Sequence, residues 1–505
     1  GRMKGKTEKM HYRCLLVLLG AAVLLASTGC NAVFSSQAAP DLGIKRQTFA
    51  ALAAIKNAKR QEIVRHFQEI RAVARGITED MVMVDGFLSM QRGASGASRE
   101  YTVAERYANV YGDFYDILFV DSGGYVFHSI KKEQDYHSNL FAPPLPGNAL
   151  AKALKRPGDE HFVEFNYYQP SEEPAAFFTV ALQEQGRHLG WFVLQVATNS
   201  TNQILADRDT MGRTGEVYLV NQENLMLSDS RFMEDSTILR QKVDTFAVRE
   251  ALRRNSGDSI ITDYRGVRVF SSYERFEVFG VAWIIIAEID EDEVLTEFYK
   301  KHKNYFQGEI VSYLSRVSLV SRAESRPQPE ELPRQRVDMN EFARAQGGKL
   351  LATSGVASCT AIAIYYPGRF GYLAHISPTD EIYQDGVLTK FFLGRHAHNF
   401  LAELLAKIEF FEVYPAEQRH LRVAIIAPHS RSFGKAVDAA LAHNLDLANI
   451  TFIYAAEALQ GEVVIDAHGS RLDVRWAKEN HAWAEDGLQC ENLSEILKKI
   501  IHYDA

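Results

Sequence analysis

"YDILFVDSGGYVFHS", residues 115 to 129, is two short runs of aromatic and β-branched residues separated by the pair Gly123 and Gly124. Such runs flanking a glycine turn read as strand, turn, strand. "GEVYLVNQENLMLSDS", residues 215 to 230, repeats the pattern about a hundred residues later with Asn221 to Asn224 in the turn. Each unit then closes in a hairpin-like pair, "AAFFTVALQEQGRHLGWFVLQVA" (175–197) and "GVRVFSSYERFEVFGVAWIIIAEID" (266–290). Two similar αβ units in series are expected from about 113 to 295. A sheet with one face packed on helices can leave room on the other for a small ligand.

On the N-terminal side of these units, Ile63, Phe67, Ile70, Ala74 and Ile77 recur at spacings of four, three, four and three, with Lys and Arg on the other faces. That period lines one stripe of a helix and predicts a long one over 45–90. On the C-terminal side a further helix is expected over 298–325. "SRPQPEELPRQRVD" (325–338), with three prolines and mixed charges in fourteen residues, reads as a linker. From 347 the texture returns to folded αβ. Strands are expected at "KLLATSG" and "TAIAIYYP", a helix near 387–408, a strand at "LRVAIIAP", a helix near 432–444, and strands at "ITFIYAAE" and "EVVIDAHGSRLDVRW".

A chain of 505 residues exceeds what one core organises, so two or three domains are expected. Its 46% hydrophobic content is that of a folded protein, and its 56 basic and 64 acidic residues give a net charge of -8 with no basic footprint. Nucleic acid is therefore not an expected partner. Lys4, Lys6, Lys9 and Arg13 precede the apolar run "LLVLLGAAVLLA" and the small residues of "STGC", in the manner of a secretory signal. The run is twelve residues, against the roughly 20 a spanning helix needs. Its end at Cys30 resembles the bacterial lipobox, which implies acylation of that thiol and attachment to the membrane through Cys30 or the N-terminal apolar segment. The rest of the chain would then face the cell envelope, on the periplasmic side. No later run is long and apolar enough to cross a bilayer; "VAWIIIAEID" (281–290) has the length of a buried strand.

The fragments "YDILFVDSGGYVFHSIKKEQDYHSNL", "MGRTGEVYLVNQENLMLSDSRF", "KVDTFAVREAL" and "DYRGVRVFSSYERFEVFGVAWIIIAEID" together resemble the double Cache sensor domain of bacterial chemoreceptors, sensor kinases and cyclases. The resemblance covers about 45–297. It implies a long N-terminal helix, a distal and a proximal PAS-like module, and a small-molecule ligand in the distal one. "KKEQDY" and "NYYQP" fall where the family builds its pocket, so Lys132, Asp135, Tyr167 and Tyr168 are the candidate ligand residues. Their charges and rings could fix a carboxylate or cage a cation; the other reading is turn and strand-edge residues in water.

Of four cysteines, Cys14 and Cys30 belong to the N-terminal signal, leaving Cys359 and Cys490. An oxidising envelope permits a structural bridge between these two. The alternative is a reactive thiol, because Cys359 follows Gly355 and Ser358 where backbone amides can point at the sulfur. "ATSGVASCTAIAIYYPGRFGYLAH" (352–375) resembles the chemoreceptor glutamine deamidase (CheD) family: Thr353, Ser358, Cys359, Ala374 and His375 fill its motif. The glycine signatures of that family's second half are not recognisable in "EALQGEVVIDAHGSRLDVRW". What the resemblance implies is attack by the Cys359 thiolate on a side-chain carboxamide, with His375 as acid and base. Thr353 would hold the ring in its working tautomer, and backbone N–H groups near Ser358 would serve the oxyanion. His396, His398, His429 and His468 lack the paired spacing of a zinc site, so no metal is expected, and no motif calls for a cofactor.

The expected architecture is an α+β multidomain chain: a signal over 1–30, a double Cache domain over 45–297 with its long helix and two PAS-like modules, a helix and linker over 298–346, and an αβ sandwich of the Cys-His deamidase type over 347–505. Two functions follow. One is an envelope sensor whose C-terminal domain deamidates glutamine in a protein substrate. The other is a non-catalytic ligand-binding lipoprotein whose C-terminal domain docks a chemoreceptor or another membrane signalling partner.

Overall fold

A computed structural model describes residues 43–91, 114–143, 145, 147–196, 198–206, 211–318, 332–345, 347–377, 382–384, 387–390, 402–408, 412–413, 415–427, 433–454, 460–466, 468, 472–477, 483–484 and 492–503. The signal-type segment with Cys14 and Cys30 lies outside these residues, as do Cys490, His396, His398 and His429.

The apolar stripe makes the first helix, α1 (Ile44–Glu79), and Ile63, Phe67, Ile70, Ala74 and Ile77 are all buried. The helix does not run unbroken to 90. Asp80 takes an extended conformation (φ -73°, ψ 115°), and α2 (Met81–Gln91) starts afresh.

The distal module is a five-stranded sheet of β1 (Phe114–Asp121), β2 (Val126–Ser129), β3 (Glu160–Tyr168), β4 (Glu173–Glu184) and β5 (Arg187–Val196), in the order β2-β1-β5-β4-β3. Its first turn is as expected: Gly124 has φ +86°, a conformation open to glycine, and donates its N–H to the Asp121 carbonyl at 3.0 Å. One face packs on the helix Ala149–Leu154 through Leu118, Val120, Leu150, Phe177 and Val193.

The helix Thr198–Leu205 precedes the proximal module, whose sheet has the order β6-β9-β8-β7 from β6 (Glu216–Val220), β7 (Ser256–Thr262), β8 (Arg268–Val278) and β9 (Val281–Asp290). The helix Phe246–Arg254 covers it. Here the repeat is incomplete. "NLMLSDS" forms no second strand, only isolated bridges from Val220 to Met226 and from Leu225 to Lys242. Phe67 of α1 meets Phe162 of the distal module at 5.5 Å and Trp283 of the proximal one at 5.2 Å, so one helix serves both cores.

The helix expected over 298–325 begins earlier, as Glu291–Lys301, and resumes as Lys303–Ser318. Two short strands lie within the stretch read as linker: β10 (Arg334–Arg336) and β11 (Glu341–Arg344). They are edge strands of two five-stranded sheets. The first has the order β10-β12-β19-β20-β21, from β12 (Leu350–Val356), β19 (Gln460–Ile465), β20 (Leu472–Ala477) and β21 (Trp483–Ala484). The second runs β11-β14-β13-β17-β18, from β13 (Thr360–Tyr366), β14 (Phe370–Ile376), β17 (Arg422–Ala427) and β18 (Ile450–Tyr454). Leu351, Val463 and Ile465 of one sheet share a core with Ala363, Leu373 and Ile426 of the other. The sheets approach closely at Gly371, where a Cβ would lie 2.7 Å from the Asp466 carbonyl oxygen. Instead of one helix near 387–408 there is a hairpin of β15 (Ile382–Gln384) and β16 (Val387–Lys390), with 402–408 helical.

Candidate functional site

Pleating sorts the distal candidates. Adjacent residues of a strand face opposite ways, and at the end of β3 Tyr168 is 2% exposed while Tyr167 is 63% exposed. Tyr168 donates its hydroxyl to Asp135 Oδ2 at 2.8 Å, and Asp135 is itself buried. Lys132 is exposed, with its ammonium 5.9 Å from the Tyr136 ring centroid. The structure therefore brings Asp135 and Tyr168 together and leaves Lys132 and Tyr167 on the surface.

Two further buried polar residues, not singled out from the sequence, lie on β1 and β5 of the same sheet. Asp116 of β1 and Gln195 of β5 are register partners, both 1% exposed. Asp116 is saturated, accepting from the N–H groups of Ile117, Ile130 and Lys131 and from Ser129 Oγ at 2.6 Å. Gln195 donates to Ser171 Oγ at 3.3 Å, but its Oε1 has no partner among the described residues, and neither has Asp135 Oδ1. Burial pushes the Asp135 carboxyl up to about 6, with Asp116 and Glu133 adding to the effect and the Tyr168 hydrogen bond opposing it. Two buried acceptors without donors cost roughly 1–3 kcal/mol each. A group offering N–H donors would recover that cost.

In the C-terminal domain, Thr353 is in β12 and His375 in β14, on different sheets, and the two meet with Oγ1 2.7 Å from Nδ1. Thr353 has one hydroxyl proton, which it donates to the Val337 carbonyl at 2.8 Å. Its oxygen is then the acceptor toward the ring, so Nδ1 carries the proton and Nε2 is left with its lone pair. Nε2 is buried without a partner among the described residues, and His375 is 3% exposed. Burial holds this imidazole below its ordinary range, with Arg336 acting the same way and Asp338 against. At neutral pH it is an uncharged base.

Cys359 is 5% exposed and immediately precedes β13, in which Ala361 pairs with His375. Cys359 lies in the bend that leads into β13, two residues before the position that pairs with His375. Ser358 is half-buried. Gly355 has φ +76°, a left-handed conformation at the irregularity in β12 between Ser354 and Val356.

Two cavities lie elsewhere. One of about 240 Å³ is lined by Asn202, Glu216, Asp229 and Arg231, and one of about 380 Å³ by Ile44, Leu52, Met211 and Phe298. Neither includes the eight sequence candidates.

Residues 45–298 match the Cache domain family. No curated protein matches the chain. Among solved structures, an extracellular ligand binding receptor from Desulfohalobium retbaense is 13% identical, with 46% of this chain and 39% of that one covered and a TM-score of 0.36. The ligand-binding domain of the Pseudomonas fluorescens chemoreceptor CtaA, solved with L-isoleucine, is 13% identical over 50% of this chain and 97% of its own, with a TM-score of 0.36. The sensor domain of the V. cholerae histidine kinase DctB is 12% identical over 49% and 98%, with a TM-score of 0.36.

Proposed function

Because the chain belongs to the Cache domain family through residues 45–298, we propose that it is an extracytoplasmic sensor that takes a small molecule in its distal module and carries a CheD-like Cys-His amidohydrolase behind it, acting on glutamine in a protein. The observation that carries the enzymatic part is the unpartnered Nε2 of His375, with the opposite ring nitrogen pinned to Thr353.

The chemistry balances on this chain's own groups. Nε2 takes the Cys359 proton, and the thiolate adds to the carboxamide carbon. Nε2 then returns the proton to the leaving nitrogen, so the C–N bond breaks and ammonia departs from a thioester. Water, deprotonated by the same nitrogen, cleaves the C–S bond, leaving glutamate and the thiol. Iodoacetamide should alkylate Cys359 faster than Cys490 at pH 7, and His375→Ala should slow that reaction by at least tenfold. Incubation with envelope proteins should give the roughly one-dalton gain of amide-to-acid conversion. Slow, equal labelling and no mass gain would leave the docking function, which the 5% exposure of Cys359 favours.

The ligand part rests on Asp135 Oδ1 and Gln195 Oε1, two buried acceptors on the helix-covered side of the distal sheet. They fit a ligand with a protonated amine, the Tyr168 ring forming part of the wall. A thermal-shift screen of amines, amino acids and carboxylates tests this. Amine-bearing compounds should raise the melting point with concentration in the wild type and not in Asp135→Asn.

A further inference from the structure

We infer that Asn340 is a positioning residue for His375, an inference that rests on the Cys-His function proposed above. The Thr353–His375 hydrogen bond joins two sheets, so it holds its length only if both strands are fixed relative to each other. The loop between β10 and β11 does this. At its start, Val337 donates its N–H to the Ala352 carbonyl at 2.9 Å and receives the Thr353 hydroxyl, which grips β12. At its end, Asn340 donates its N–H to the His375 carbonyl at 2.6 Å. The Asn340 side-chain Oδ1 accepts from Ser377 N at 3.0 Å and Ser377 Oγ at 2.8 Å. One residue thus holds the chain at His375 and again two residues beyond it, and Glu341, the next residue, opens β11 opposite His375.

Asparagine suits the place for two reasons. Asn340 has φ +61°, a left-handed conformation that asparagine tolerates better than most side chains, and its short amide bonds to nearby backbone. Glycine would keep the backbone and the N–H to His375 but lose the hold on Ser377. Aspartate would keep the acceptor.

The test is the pH profile of Cys359 alkylation by iodoacetamide in the full chain, read by mass spectrometry. In the wild type the rate should rise through an inflection below 6.5, where His375 becomes neutral. Asn340→Gly should cut the rate at pH 7 by about tenfold, since small displacements of a reacting pair are costly, and move the inflection toward 6.5. Asn340→Asp should restore both. A wild-type profile in Asn340→Gly overturns the inference, because a turn residue with no hold on the ring would alter stability alone. If Asn340→Gly does not fold, Ser377→Ala carries the test: a loss of about threefold supports the inference and an unchanged profile overturns it. His375→Ala labelling like the wild type would instead remove the Cys-His function itself, whatever Asn340 does.

Discussion

Glu288 lies in β9 opposite Glu216 on one side and Ser271 on the other, 1% exposed, with the Tyr218 hydroxyl donating to it at 3.0 Å. Burial, with Asp263 and Glu216 nearby, pushes its carboxyl from 4.5 up to about 8, against the hydrogen bond from Tyr218. In the unfolded chain the proton leaves near 4.5; in the folded one it stays until about 8. Between those values the native state binds more protons, so stability falls as pH rises, by about 1.4 kcal/mol per pH unit. Glu288→Gln does not titrate. Its melting temperature should exceed that of the wild type at pH 8 and lose that advantage at pH 5, as differential scanning calorimetry would show; a constant difference would mean that Glu288 ionises normally. At Thr353 the chemistry is local. Thr353→Val leaves the Val337 carbonyl and His375 Nδ1–H without partners, which costs roughly 1–3 kcal/mol. It should also slow Cys359 alkylation at pH 7 by about tenfold, while Thr353→Ser keeps the wild-type rate. Thr353, Cys359 and His375 were singled out by the motif they resemble, and the structure puts Thr353 against His375. Glu288, Gln195 and Asn340 were not, because each acquires its role from strands far apart in the chain.

Phe67 shows how an element's face is decided. It is fully buried where α1 crosses from the distal to the proximal module, edge-on to Phe162 and to Trp283, whose Nε1–H is satisfied by Glu164 at 2.7 Å. Phe67→Ala opens a cavity shared by both cores and should cost about 3–5 kcal/mol. Urea unfolding should show the midpoint fall for tryptophan fluorescence and far-UV signal together; loss in one probe alone would mean that α1 does not tie the modules. This face was readable from the period of Ile63, Phe67, Ile70, Ala74 and Ile77, since a helix stripe needs only local sequence. Other elements needed tertiary partners. "NLMLSDS" has a strand's alternation, yet Ser228 Oγ accepts from Leu219 N at 3.1 Å and Ser230 Oγ donates to Glu216 at 3.2 Å. These side chains, with the backbone bonds from Leu227 N to Leu219 O and from Asn221 N to Leu225 O, hold it beside β6. In the hairpin Val387 pairs with Gln384, Leu388 with Tyr383 and Lys390 with Ile382, and helix is present at 402–408, where Leu404, Leu405 and Ile408 are buried.

Residues 43–505 form one compact unit, and the way the Cache module joins the C-terminal domain has mechanical consequences. Strand β9 runs straight into the helix Glu291–Lys301, whose first two turns are gripped from the C-terminal domain. Lys498 Nζ donates to Glu291 Oε2 at 2.9 Å, Ser494 Oγ to Asp292 Oδ1 at 3.1 Å, and Leu447 N to Thr296 Oγ1 at 3.0 Å. Arg213, just before β6, reaches the Asn444 carbonyl at 2.9 Å and the Asp446 carboxylate. Glu293 turns back to the Cache side, taking the N–H groups of Arg213 and Thr214. A shift of β9 on ligand binding would therefore move the C-terminal domain or break these contacts, and either outcome couples the two halves. Arg213→Ala with Lys498→Ala removes these two charged contacts, keeps the Lys303–Asp438 pair and leaves both cores intact. In the full chain, the amides of Leu493–Ile500 and of 444–450 should then exchange with deuterium about tenfold faster, as expected when local opening becomes easier. Lys498 also pairs with Glu495 within its own helix at 3.0 Å, so Glu495→Ala is the control and should leave 444–450 unaffected. If exchange in the double variant matches that of the control, packing around residues such as Leu447 and Ile496 and the Lys303–Asp438 pair hold the junction, not the Arg213 and Lys498 contacts.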